Sequence, residues 1–391
     1  MKKRVLRYLK HLGLTVLLLL FILITLGLSI DASIHYWDNE TGYHVNHDGP
    51  YIFYKNDSTL SVNYLAGNRE QGFYTESNEV AADADYQATC FFPLDSTRFS
   101  FRLQSTFNHP PVSYDDGEAI FAVSDIESGY KAFRDILISA GVIDRELQWA
   151  FGRGHLVLLG DFVDRGYSTT QVLWFIYKLE QDARAAGGKV HFIIGNHELK
   201  NMHGDYYAAE TKYFNAATLL GRQQHDLYSP QSLIGRWMSS KNTVERINGI
   251  LFTHGGLHPD LVNYKYLDLQ KINDLIRKNY YQRYYPQPGA GAEQFLTSNE
   301  TGPCWYRGYF KDDLEQEQID AVLQKFGGSA IVVGHTLQGQ VTTYYNEKVM
   351  AIDVKHPKDY QYYWPAGHSE GLMIEKETYY RLLPGEGKEV L

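Results

Sequence analysis

Five residues stand where divalent-metal chemistry would need them: Asp125, Asp161, Asn196, His254 and His335. Each closes an apolar run, in AIFAVSD, HLVLLGD, KVHFIIGN, GILFTHGG and SAIVVGH. Taken alone, every one has an ordinary structural reading. An Asp after Gly can bond its own backbone in a turn. GNHE (Gly195 to Glu198) can be a loop entering a helix, and a His before two glycines is more often structural than a ligand. Five such residues at five strand ends are harder to explain as turns. Their donors are oxygen and imidazole nitrogen without sulfur. That set suits Mn, Fe, Zn or Mg rather than Cu(I) or an iron–sulfur cluster.

The elements that must hold these residues can be read from the pattern around them. From Asp116 onward, apolar strands alternate with glycine-bearing loops and helices: AIFAVSD runs into ESGYKAFRDILISAG, and HLVLLGD into STTQVLWFIYKLEQDARAAG. That alternation predicts βαβ units, whose ligand sites collect at the carboxyl ends of the strands. Residues 31–114 read differently, as strands and turns. RFSFRL (Arg98 to Leu103) alternates with period two, and HPP (His109 to Pro111) marks a boundary. No catalytic constellation falls there, so its expected role is extra sheet packed against, or capping, the domain C-terminal to it. The expected organisation is an N-terminal segment 1–30, a β-rich extension 31–114 and a catalytic domain 115–391.

The N-terminal segment is a membrane element by composition. Leu12 to Ile30 carries no charge, follows five bases (Lys2, Lys3, Arg4, Arg7, Lys10) and precedes Asp31, Asp38 and Glu40. A run of about 20 apolar residues spans the hydrocarbon core. It exceeds the 7–15 apolar residues usual in a cleaved signal peptide. The flanking charges place the N-terminus in the cytoplasm and the body outside it. The expectation is a signal anchor through residues 12–30, with the catalytic domain outside the cytoplasm (periplasmic in a Gram-negative cell). Secretion after cleavage near Ser29 or Ala32 is the alternative. The whole chain has 37 Lys+Arg against 46 Asp+Glu, so the part beyond the basic N-terminus is strongly acidic. Such a body repels a phosphate backbone, and no nucleic-acid groove is expected. Two cysteines, Cys90 and Cys304, are too few for a disulfide scaffold or a Cys-based zinc site, and whether they pair is left open.

SDIESG, GDFVDRG (Gly160 to Gly166), GNHE, HGG (His254 to Gly256) and GHT (Gly334 to Thr336) resemble the successive motifs of calcineurin-like metallophosphoesterases. GDFVDRG with GNHE narrows the resemblance to the PPP-type protein Ser/Thr phosphatases. IGRWMSSKNTVERINGILFTHGGLHPDL and GPCWYRGYF resemble bacterial Shewanella-like protein phosphatases within that branch. The resemblance covers roughly Ala119 to Glu375. It implies an α/β fold, a calcineurin-like metallophosphoesterase β-sandwich flanked by helices, here with the β-rich extension and transmembrane helix added. It further implies two divalent ions, Mn first, with Fe, Zn or Mg as alternatives. Asp161 would bridge them, Asp125 and the residue at position 127 would complete the first, and Asn196, His254 and His335 would hold the second. Two such ions clamp the phosphoryl oxygens and lower the pKa of a shared water that attacks phosphorus in line. Arg165 and Arg307 would contact substrate phosphate. His197, oriented by Asp164, would protonate the leaving group. The plain alternatives are a loop salt bridge for Asp164 and a helix-start polar residue for His197.

One position departs from the family pattern, which usually reads D-x-H where this chain has Asp125-Ile126-Glu127. Side chains two apart on a strand share a face, so Glu127 has the spacing of a ligand. The expected first site is therefore all carboxylate; otherwise the first ion is weak and the chain a binding-only relative. The expected activity is hydrolysis of phosphate monoesters, with a phosphoprotein or small phosphate ester as partner. A phosphoanhydride or phosphodiester hydrolase, acting for instance on dinucleoside polyphosphates or lipid-linked pyrophosphates, is an alternative, as is a non-catalytic membrane-tethered binding module. His203 to Pro230 reads as either a substrate-selecting lid or a scaffold helix pair. The tyrosine-rich patches Tyr280 to Pro288 and Asp359 to Pro365 read as surface packing or a substrate rim.

Overall fold

Five short strands lead to the candidate residues, β1 (Ile120–Val123), β2 (His155–Leu158), β3 (Lys189–Phe192), β4 (Ile250–Thr253) and β5 (Ala330–Val333), and β6 (Val349–Ala351) lies beside β5. The computed structural model that defines them describes residues 2–29, 34–37, 45–68, 70–285, 291–311, 313–364, 367–385 and 387–391. All of β1, β2, β4, β5 and β6 is buried, because each strand is covered on both faces.

β3, β2 and β1 run parallel in one six-stranded sheet, extended antiparallel by Gly371–Glu375, Thr378–Leu383 and Gly387–Val390. β4, β5 and β6 run parallel in a second six-stranded sheet, flanked by Thr342–Tyr344 on one side and Val244–Ile247 and Ser113–Tyr114 on the other. Alternate residues divide between two cores. Ile120, Ala122 and Val157 meet Phe252, Val332 and Met350 between the sheets. Phe121, Val123, Leu156 and Leu158 turn the other way, into the core shared with the helices. The α/β sandwich expected from the sequence is thus present.

Helices α1 (Tyr130–Ser139) and α2 (Thr169–Ala186) come after β1 and β2, and α3 (Asn196–Met202) comes after β3. α2 is buried almost all round because strands from the N-terminal region pack on it. Phe101 stacks on Trp174 at 4.6 Å between ring centroids, and Phe99 packs on Phe175 at 5.2 Å. Burying each such ring contributes roughly 1.5–3 kcal/mol. Asp48, fully buried, accepts from Gln171 Nε2 at 3.0 Å and Lys212 Nζ at 2.9 Å. The three-stranded sheet Asp48–Asn56, Thr59–Asn68, Gly72–Ala81 and the hairpin Gln87–Phe92, Thr97–Arg102 therefore belong to one continuous core with the helices.

One compact unit spans Asn39–Tyr360 with His368–Leu391, and another spans Met1–Asp38 with Gln361–Gly367. In the latter, Lys2–Ser29 is a single 28-residue helix with no buried side chain, long and apolar enough to be a membrane anchor or signal sequence. Ile34–Trp37 pairs antiparallel with Gln361–Trp364. The acidic flank Asp31, Asp38 and Glu40, the cleavage position Ala32, residues 286–288 of the first tyrosine patch and Pro365 of the second lie outside the described residues. Within the patches, Tyr280 is fully buried and donates to Lys241 O, and Asp359 accepts from the first backbone N–H groups of α1. Both uses are structural. Cys90 and Cys304 are buried and unpaired with each other.

Candidate active site

Parallel register brings the five strand ends to one edge. Val123 pairs with Leu158, Leu158 with Phe192, and Val333 with Ala351, so the residues just beyond them emerge together. The backbone there enters the left-handed region at Asp125 (φ 53°), Glu127 (46°), Asp161 (57°), Asp164 (67°) and His335 (65°). Non-glycine residues rarely adopt it, and such strain clusters at functional sites. Glycines make room alongside. A Cβ on Gly195 would lie 2.5 Å from Asp161 Oδ1, and one on Gly334 2.6 Å from Asp125 Oδ2.

Asp161, His254 and His335 converge, their donor atoms all within 4.8 Å of one another. His254 Nδ1 donates to Leu159 O at 2.5 Å, and His335 Nε2 donates to Trp305 O at 3.1 Å. Those carbonyls fix the tautomers, leaving His254 Nε2 and His335 Nδ1 as lone-pair atoms 3.1 Å apart. Asp161 Oδ1 lies 3.2 Å and the Asn196 amide 3.0 Å from the same His254 nitrogen. Converging lone pairs need a cation, and this donor set fits a divalent ion. Without one, a proton substitutes: burial opposes charge on His254, but Asp161 and Asp125 outweigh it and raise its pKa to about 10. Burial and then the charge on His254 push His335 down to about 2, so the pair shares one positive charge.

Asp161 is held from three sides. His197 N donates to its Oδ1 at 2.8 Å, and Glu198 accepts from Asp161 N, Phe162 N and Gly195 N at 2.8–2.9 Å. Burial resists ionisation of Asp161, yet His254 and His197 hold its carboxyl below the usual range. His197 Nδ1 lies 2.7 Å from Asp164 Oδ2, and Asn201 Nδ2 donates to Asp164 Oδ1 at 2.8 Å. Burial works against the imidazolium, but Asp161 and Asp164 prevail and raise the His197 pKa. Arg307 donates to His335 O and, at 3.1 Å, to Thr336 Oγ1.

The other side of Asp161 differs. Asp125 Oδ2 accepts from His335 N at 3.0 Å and from Ser124 Oγ; burial chiefly, and Asp161 with it, raise its pKa to about 7. Both oxygens of Glu127 are engaged by cations: Oε1 by Arg165 and Oε2 by Lys358 Nζ at 2.6 Å. Asp164 makes its contact with His197 rather than the salt bridge with Arg165 that was the plain alternative. The structure thus gathers all ten residues singled out from the sequence around one edge.

Sequence reading overlooked Glu198, Lys358, Asp353 and His356. The first had a signal, a Glu at the third position of a helix start. Asp353 comes after VMAI as Asp125 comes after IFAVS. The segment 203–230 supplies the helix Thr211–Leu219, with Tyr213 and Ala216 in the core and Gln224 bonded to Asn201, which is scaffold packing. Beyond Arg307, a cleft of about 670 Å³ is walled by Tyr309, Phe310, Leu337 and Tyr344, with Thr336 at its edge.

A model of the calcineurin-like phosphoesterase family matches residues 119–339. Shewanella-like protein phosphatase 2 of Arabidopsis thaliana is 25% identical over 331 residues, 71% of this chain and 80% of that protein. Shewanella-like protein phosphatase 1 of Plasmodium berghei is 25% identical over 249 residues, 60% of this chain and 66% of that protein. The crystal structure of a cold-active protein tyrosine phosphatase from a psychrophilic Shewanella species is similar with a TM-score of 0.75 and 31% identity, covering 88% of this chain and 99% of that one.

Proposed function

The chain belongs to the calcineurin-like phosphoesterase family and is a hydrolase of phosphate esters; from that premise we propose that it cleaves phosphate monoesters with two divalent ions, manganese first among the candidates. The observation that carries this reading is the His197–Asp164 pair set directly beside the convergent Asp161, His254 and His335 donors. A site that only bound phosphate would have no use for a proton donor there.

Asn196, His254 and His335 would hold one ion, Asp161 would be shared, and Asp125 would begin the ligand set of the other. When bound, such a pair polarises phosphoryl oxygens and lowers the pKa of water. The protein supplies the rest. Arg307 and Arg165 offer guanidinium forks to the non-bridging phosphate oxygens. Their charges neutralise the phosphate, orient it, and leave its ester oxygen towards His197. His197, whose charged form is favoured by the Asp164 carboxylate at Nδ1, donates its Nε2 proton to the departing alkoxide or phenoxide. Asp164 holds the ring through Nδ1 throughout.

The cleft beyond Arg307, with Phe310, Leu337, Gln338 and Tyr344 among its walls, has room for an aromatic or peptide leaving group. A phosphotyrosyl peptide is therefore the preferred substrate class, in keeping with the tyrosine phosphatase name of the solved relative. The basic residues before the helix Lys2–Ser29 favour a cytoplasmic N-terminus and an extracytoplasmic catalytic body. Steady-state comparison of p-nitrophenyl phosphate, bis-p-nitrophenyl phosphate, a dinucleotide and a phosphotyrosyl peptide tests the reading. Monoester turnover that disappears on chelation and returns with Mn is expected. Preferential diester or dinucleotide turnover would overturn it.

A further inference from the structure

Asp353 is a buried carboxylate at the edge of the site that no part of the mechanism uses. It lies beyond β6 at the offset at which His335 lies beyond β5, and those strands pair Val333 with Ala351. It therefore emerges beside His335 on the edge that carries the site. Only 6% of Asp353 is exposed, and among the described residues no hydrogen bond or ion pair reaches its carboxylate. Its strongest charge interactions are with Asp125 and Glu127, then with His254 and Asp161. A buried carboxyl facing other carboxylates either stays protonated or takes a cation, and with no hydrogen-bond partner its oxygens are left for one. A second orphan lies three residues on, against the residue before Asp125: His356 donates through Nε2 to Ser124 O at 2.9 Å, while its buried Nδ1 has no partner among the described residues.

Glu127 is in the opposite situation. Its two oxygens are taken by Arg165 and by Lys358, and Lys358 also donates to Arg165 O at 3.1 Å. Arg165 remains half exposed, with Glu127 and Lys358 bracing it on the inner side. A carboxylate so occupied would have to break two charged contacts to reach an ion.

We infer that Asp353, rather than Glu127, completes the ligand set begun by Asp125 and Asp161, and that Glu127 is a positioning residue holding Arg165 for substrate phosphate. This rests on the two-ion reading. An oxygen donor from the second sheet would take the place that Glu127 leaves, which keeps the site all-oxygen and suited to Mn or Mg. Lys358 balances the charge on Glu127 so that the guanidinium stays available to an anion.

The test uses the full-length chain in detergent, stripped by chelation, reloaded with Mn and assayed for metal per chain and for binding of inorganic phosphate. Wild type should hold two ions; fewer than two would sink the two-ion reading itself, separately from this inference. Asp353→Ala should fall to about one ion per chain, and its metal-free melting temperature should not drop, because it removes a buried carboxyl that makes no hydrogen bond. Glu127→Ala should keep two ions but bind inorganic phosphate about tenfold more weakly. Two ions in Asp353→Ala, or one ion in Glu127→Ala, would overturn the assignment. If Asp353→Ala fails to fold, Asp353→Glu replaces it: displacing the carboxylate by one methylene should weaken the second Mn equivalent at least tenfold, and wild-type Mn affinity would overturn the assignment.

Discussion

On one side of Asp161, the ends of β4 and β5 present imidazoles whose outer nitrogens are tied to Leu159 O and Trp305 O. On the other, the ends of β1 and β6 present the carboxylates Asp125 and Asp353, with Glu127 drawn off by Arg165 and Lys358. The imidazole side is pre-oriented by backbone carbonyls, which fix the tautomer and ring direction of each histidine. The carboxylate side has fewer such ties: Asp125 accepts from His335 N and Ser124 Oγ, while Glu127 is held by charge. One half should bind its ion tightly with little rearrangement; the other should be looser, harder in ligand character and more sensitive to its surroundings.

Removing the shared residue should erase the difference. Asp161→Asn is expected to lower metal content on both sides and cost more than the roughly 10²–10⁴-fold attributable to a general acid. Metal analysis with steady-state kinetics checks it, and retention of both ions would break the comparison. His197→Ala comes next. It should lower turnover by about 10²–10⁴-fold for alkyl phosphates and far less for p-nitrophenyl phosphate, whose phenolate leaves unaided. Equal losses for both substrates would remove His197 from the acid role.

Two smaller effects concern protons. Asp161 and Asp164 raise the pKa of His197, so its acid form persists to higher pH than an ordinary imidazole allows. Asp164→Asn removes one of these influences, and the alkaline limb of the pH–rate profile for an alkyl ester should move to lower pH. On the imidazole side, the pKa of His254 is raised to about 10 in the metal-free protein, so an entering ion must displace a proton. Mn affinity there should fall as pH falls, measurable by titration calorimetry at several pH values. The smallest effect belongs to the N-terminal helix. A chain beginning at Asp31 should turn over substrate like the full chain, since all the residues of the site lie at or beyond Asp125.

The imidazole half was largely legible in the sequence, and the carboxylate half was not. His254 and His335 each close an apolar strand and stand next to glycine, a local grammar that also marks Asp161 and Asn196, while Asp125 closes its strand without one. Strand alternation likewise disclosed the βαβ units, while the sandwich of two sheets was implied by the family resemblance. Glu127 shows where local grammar stops. Its spacing suits a ligand, but its partner Lys358 lies far along the chain, and only the fold brings the two to 2.6 Å. Asp353 was missed although its strand has the same form, because a lone Asp after VMAI has no motif around it. Residues 45–103 reach α2 through Asp48 and Gln171 and the helix Thr211–Leu219 through Asp48 and Lys212, again pairings that periodicity cannot reveal.

Stepwise addition of Mn(II) to the stripped chain, with electron paramagnetic resonance and p-nitrophenyl phosphate hydrolysis recorded on the same samples, tests the two-ion account most directly. The expected course is one tight equivalent with little turnover, then a weaker equivalent that brings an exchange-coupled signal and full activity together. Full activity at one equivalent, or two equivalents without magnetic coupling, would contradict it.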